Sequence, residues 1–66
     1  MSITFEDRTG TYIKQWPNWE LGIPNSGDHV LLHYGDYNEA SVEYVVLYRT
    51  FDGTRPHTIF CTIESV

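Results

Sequence analysis

Cysteine, basic residues and long apolar runs are all scarce in this 66-residue sequence, and each scarcity closes a route. Cys61 is the only cysteine, so no disulfide within the chain can staple the fold. A structural zinc site takes about four Cys or His ligands, and the one Cys and three His here are scattered along the chain, so no metal or other cofactor is expected. A lone thiol suits a reducing compartment, which makes the cytoplasm, of a cell or of an infected host, the expected location. No stretch approaches the roughly 18 apolar residues of a membrane span. Residues 1–7 lack a basic region followed by an apolar run, so they do not read as a signal peptide.

Four basic residues stand against nine acidic ones, for a net charge of −5. The acids are dispersed from Glu6 to Glu64 and form no acidic tail. Such a surface repels phosphate backbones, so direct nucleic-acid binding is not expected. It favours partners with basic surfaces. Solubility alone would also account for the charge.

Aromatic residues are plentiful: two Trp, five Tyr and three Phe. A domain of this size buries only about 60% of its unfolded surface, and each ring contributes roughly 150–250 Å². Aromatic packing is therefore the resource available for a core, and rings left outside it are candidate contact residues.

The chain reads as a single β domain spanning residues 1–66. Ile3 and Phe5 alternate with Thr4 and Glu6, the period-2 pattern of a half-buried strand. Asp7-Arg8-Thr9-Gly10 is a turn, and residues 11–16 form a second strand that Pro17 ends. Residues 17–28 are irregular, with two prolines and two glycines, and Trp19, Leu21 and Ile23 alternate within them. Pro24-Asn25-Ser26-Gly27 is a turn signal. Residues 29–34 form a third strand and Gly35-Asp36-Tyr37-Asn38 a turn. Residues 41–51 form a long strand whose centre is apolar on both faces, as in a central or strongly bent strand. A helix over residues 38–48, capped by Asn38, competes with it, but Val42, Val45 and Val46 disfavour that helix. Asp52-Gly53 marks a hairpin, and residues 58–63 form the last strand.

Five short strands with frequent turns predict an all-β fold: a small five-stranded antiparallel barrel or bent meander with consecutive strands paired. The expected inward set is Ile3, Phe5, Val30, Leu32, Tyr44, Val46, Ile59, Cys61 and Ile63. Pro24, Gly27, Asp28 and Val30 form a Pro-x-x-Gly-Asp-x-Val segment, followed by the long strand and the closing hairpin. Over residues 23–64 this pattern resembles small SH3-like barrel proteins. The resemblance implies an SH3-like barrel, a fold that serves as peptide binder, nucleic-acid binder or passive module. The nucleic-acid-binding versions are usually basic, and this chain is acidic.

Catalytic groupings are weak. His29 and His33 share a strand face about 13 Å apart at ~3.3 Å per residue, too far to share one metal ion. Cys61 alternates with Ile59 and Ile63, which predicts a buried thiol rather than a nucleophile. No glycine-rich phosphate loop is present, because Gly22 and Gly27 lie in a proline-broken segment. The chain is expected not to be an enzyme.

The informative cluster is Trp16-Pro17-Asn18-Trp19, two indoles on either side of a break. If it converges with Tyr34 and Tyr37, the four rings form a surface rimmed by Glu20, Asp36 and Glu39. Trp and Tyr dominate interface hot spots and capture Arg or Lys. Asp28, Asp36, Glu39 and Glu43 are the expected steering carboxylates. The loop carrying Arg55 and His57 is a second candidate surface. The leading expectation is a non-enzymatic interaction protein that occupies a basic surface of a partner protein. In size and charge it resembles the small inhibitors that phages encode against host defences. The alternative is a small-ligand or peptide-sequestering module, with homo-oligomerisation open to either.

Overall fold

The computed structural model describes residues 2–33, 41–54 and 58–66. Five strands follow in order: β1 (Ser2–Glu6), β2 (Tyr12–Trp16), β3 (His29–His33), β4 (Ser41–Phe51) and β5 (Thr58–Ser65). No helix occurs among the described residues, and β4 covers residues 41–48, where a helix had been the rival.

The β1–β2 hairpin is shaped by Asp7. Its carboxylate accepts from the Thr9 amide, the Thr9 hydroxyl and the Thr11 amide at 2.9, 2.6 and 3.0 Å. These donors, the Thr9 hydroxyl first, hold the Asp7 carboxyl below the usual carboxylate range. Gly10 takes φ +83°, which lets its amide donate back to the Asp7 carbonyl. Asp52 repeats the device, accepting from the Thr54 amide and hydroxyl at 2.8 and 2.6 Å.

The strands form one curled sheet in the order β2-β1-β5-β4-β3, a half-barrel. The expectation of a wholly antiparallel meander needs correction in two places. First, β1 runs parallel to β5, with Ile3 beside Ile59 and Phe5 beside Cys61. This register sets the inward residues of both strands side by side, and all four are buried. Second, β2 and β3 do not pair; they are the two edges of the sheet. Residues 17–28 connect them and carry Trp19 and Ile23, which pack against the core. The β1–β2, β3–β4 and β4–β5 pairs are antiparallel as expected.

The expected inward set is the buried apolar core, residue for residue. Thr62 is also buried, although it faces the opposite side. It lies on the central strand β5 with Glu6 and Tyr48 as its cross-strand neighbours.

The apolar centre of β4 reflects a bulge. Val46 pairs with Ile63 and Tyr48 with Thr62, leaving Leu47 out of register. The turn at residues 25–28 clamps this point. The Asp28 amide donates to the Asn25 carbonyl, and the Asp28 carboxylate accepts from the Asn25 amide at 2.7 Å. The Gly27 amide then donates to the Val46 carbonyl, the Val46 amide to the Asp28 carbonyl, and the Ser26 hydroxyl to the Leu47 carbonyl, each at 2.8 Å.

Gly27 takes φ +92° in that clamp, with open space around its Cα. Any side chain there meets backbone strain rather than a clash. Gly27→Ala is expected to cost about 1–2 kcal/mol, lowering the melting temperature by ~4–8 °C per kcal/mol for a domain of this size. Gly22 has no positive φ and equally open surroundings, so Gly22→Ala should leave the melting temperature nearly unchanged. Thermal unfolding of the two variants side by side checks this, and equal losses would remove the clamp from the account.

Candidate partner-binding surface

Pro17 follows the end of β2 and turns the chain onto the core. Trp19 lands edge-on against the buried Phe5 ring, with centroids 5.8 Å apart. Trp16 stands edge-on against Trp19 at 6.0 Å, and the Lys14 ammonium lies 5.4 Å from the Trp16 ring. The two tryptophans therefore have different roles. Trp19 is half-buried and ties the irregular segment to the core, while Trp16 remains 43% exposed.

The Trp19 indole N–H donates to the Gly22 carbonyl at 3.1 Å. That bond closes a tight bend and breaks the alternation of Trp19, Leu21 and Ile23. Ile23 still packs inward, but Leu21 is thrown out and is 71% exposed. Pro24 is buried behind it. Between this bend and β3 lies a shallow groove of about 480 Å³, lined by Trp19, Leu21, Gly22, Pro24, Asp28, His29, Val30 and Leu31. Leu31, on the outer face of β3, is 63% exposed. Trp19, Leu21 and Leu31 thus give this groove an apolar, partly aromatic lining, which Trp16 adjoins through Trp19. Leu21 and Leu31 were not anticipated as contact residues. The sequence signal for Leu31 was its place between His29 and His33, the outward residues of β3.

Carboxylates surround this surface. Asp28 lines the groove while one of its oxygens holds the Asn25 amide. Glu43 lies on β4 directly across from Leu31 and contacts the His29 imidazole Nδ1 at 2.5 Å. Glu20 is exposed. The described cations are engaged with the chain itself. Arg8 pairs with Glu64 at 3.2 Å, Lys14 donates to the His33 carbonyl at 2.8 Å, and Arg49 lies over Phe51.

Of the residues expected at the site, Trp16 and Trp19 come together, with Asp28 on the groove and Glu43 beyond β3. Tyr34, Asp36, Tyr37 and Glu39 lie outside the described residues, as do Arg55 and His57 of the second candidate loop. His29 and His33 are exposed, and no cluster of metal-binding side chains occurs among the described residues. Cys61 is buried, and desolvation pushes its thiol above the ordinary value despite the opposing charge of Arg49. A second exposed set, Tyr12, Tyr48 and Phe51, was also not foreseen. No helix of the described residues is long and apolar enough to cross a membrane.

No protein-family model, no curated protein and no solved structure matches the chain.

The division of labour between the indoles has a measurable consequence. Trp19→Ala removes a ring packed on Phe5 and should cost about 3 kcal/mol in urea unfolding. Trp16→Ala removes one edge contact and should cost about 0.5–1 kcal/mol. Equal costs would mean that Trp16 belongs to the core and is not available to a partner.

Proposed function

We propose that this domain is a non-enzymatic binding module that occupies a basic surface of a partner protein. One observation carries the reading. A groove flanked by the exposed Leu21 and Leu31, and joined to Trp16 through Trp19, lies beside Asp28 and Glu43 on a chain of net charge −5. Apolar and aromatic groups supply contact energy, and carboxylates around them steer a cationic partner into place. Arg8 is already paired with Glu64, while Lys14 and Arg49 keep their charges, so the acidic field comes from the excess of carboxylates over the whole chain.

The buried, desolvated Cys61 supports a binding role over nucleophilic catalysis. A small acidic domain that covers a cationic site acts as an inhibitor of whatever that site binds. This is the manner of the small phage-encoded inhibitors that the chain resembles in size and charge, and it sets the domain to work in the host cytoplasm.

The test is kinetic and uses the partner captured from the native host. The association rate should fall by about tenfold or more as salt rises from ~50 to ~500 mM, because screening shortens the reach of the carboxylates. Glu20→Lys and Glu43→Lys should slow association with little change in dissociation, whereas Trp16→Ala should speed dissociation. An association rate indifferent to salt and to both charge reversals would refute the proposal.

A further inference from the structure

Among the described residues, the hydrogen-bond alternation of β3 leaves part of its outer edge without a partner strand. The Val46 amide donates to the Asp28 carbonyl just beyond the β3–β4 ladder, one of the two bonds of a bonded pair, while the Val46 carbonyl accepts from Gly27. In an antiparallel ladder bonded and non-bonded pairs alternate. Val30 with Tyr44 and Leu32 with Val42 are therefore bonded pairs, while the backbone groups of His29, Leu31 and His33 point away from β4. Two separate contacts agree with this phase. The Glu43 carbonyl, opposite Leu31, accepts from the Val66 amide on the β5 side, and the His33 carbonyl accepts from Lys14 of β2.

The edge is not uniformly available. Lys14 closes it at His33, and on the facing edge strand β2 the Tyr12 hydroxyl covers the Gln15 amide at 3.0 Å. Charged and polar side chains placed so are the usual protection of sheet edges. At residues 29–31 the edge instead borders the groove of about 480 Å³, flanked by the exposed Leu21 and Leu31.

We infer that β3 accepts an extended, lysine- or arginine-bearing segment of the partner protein as an added strand, bonded to the backbone of His29 and Leu31. This rests on the reading of the domain as a binder of basic protein surfaces, and it names how that surface engages. Main-chain bonds supply register in such an addition, and alternate side chains supply selectivity. One set of the added side chains shares the face of Leu31, with the Glu43 carboxylate across β3. The other shares the face of Val30, where Trp19 and Pro24 line the groove. The charge decides between occupants. A net of −5 disfavours a second copy and favours a cationic strand.

An array of synthetic octapeptides tests the inference, with Lys or Arg alternating with Val, Ile or Thr, and with Glu replacing the basic residues as controls. Binding is read by fluorescence anisotropy against three proteins: the unmodified chain, Leu31→Pro, and a chemically synthesised chain N-methylated at the Leu31 amide. Neither change removes a β3–β4 bond, because that amide faces the free edge, and the N-methyl form keeps the side chain should the proline variant fail to fold. Basic peptides should bind in preference to the Glu controls. N-methylation should weaken them by about tenfold, the loss of a main-chain bond and the fit around it. Salt-sensitive binding that N-methylation leaves unchanged overturns strand addition while the basic-partner reading stands. Failure of every peptide, alongside capture of a basic protein, overturns strand addition alone. Failure of both overturns the two together. Doubling of the mass in light scattering, abolished by N-methylation, gives the edge to a second copy and overturns the inference.

Discussion

Ser2–Glu6 and Thr58–Ser65 lie side by side and run in the same direction, so the first and last strands occupy the middle of the sheet. Ile3, Phe5, Ile59 and Cys61 meet there and are buried together. Once those positions are taken, β2 can pair only with the outer side of β1. The β3–β4 hairpin can attach only through β4 to the outer side of β5. Two strand edges are left over, with a Lys14–His33 bond reaching from one to the other. A sheet of this kind needs its open side covered, and residues 17–28 do so with Trp19 and Ile23.

The same arrangement generates the candidate binding surface. Because the connecting segment must cross from β2 to β3, its Trp19 is brought over Phe5 and its bend is brought beside the edge of β3. The Asn25–Asp28 turn then fixes the end of the segment onto the β4 bulge. Buried and exposed side chains alternate within a few residues. Trp19, Ile23 and Pro24 face the interior, Leu21 is exposed, and Trp16, across from Ile3 on β1, stays partly exposed at the sheet edge.

Much of the fold was legible in the sequence because burial in a strand follows a period of two. That rule recovered the inward residues from Ile3 to Ile63, the exposed faces of His29 and His33, and the buried Cys61. Turn chemistry placed the bends at Asp7 to Gly10 and at Asn25 to Gly27. Pairing direction was not legible. Alternation in β1 and β5 is the same whether the two run parallel or antiparallel, and nothing local to residues 17–28 shows that they span the sheet instead of forming a hairpin. The site was legible in part. The Trp16 and Trp19 pair was evident from its break at Pro17. The outward turn of Leu21 depends on one indole hydrogen bond to Gly22, and no periodicity encodes that.

Amide hydrogen exchange along β3, followed residue by residue by NMR, tests the central claim most directly. An open edge requires alternation: the Val30 and Leu32 amides, bonded to β4, exchange slowly, and the Leu31 amide between them exchanges quickly. Uniform slow exchange from Val30 through Leu32 would contradict the account, because it would mean that the edge is already covered.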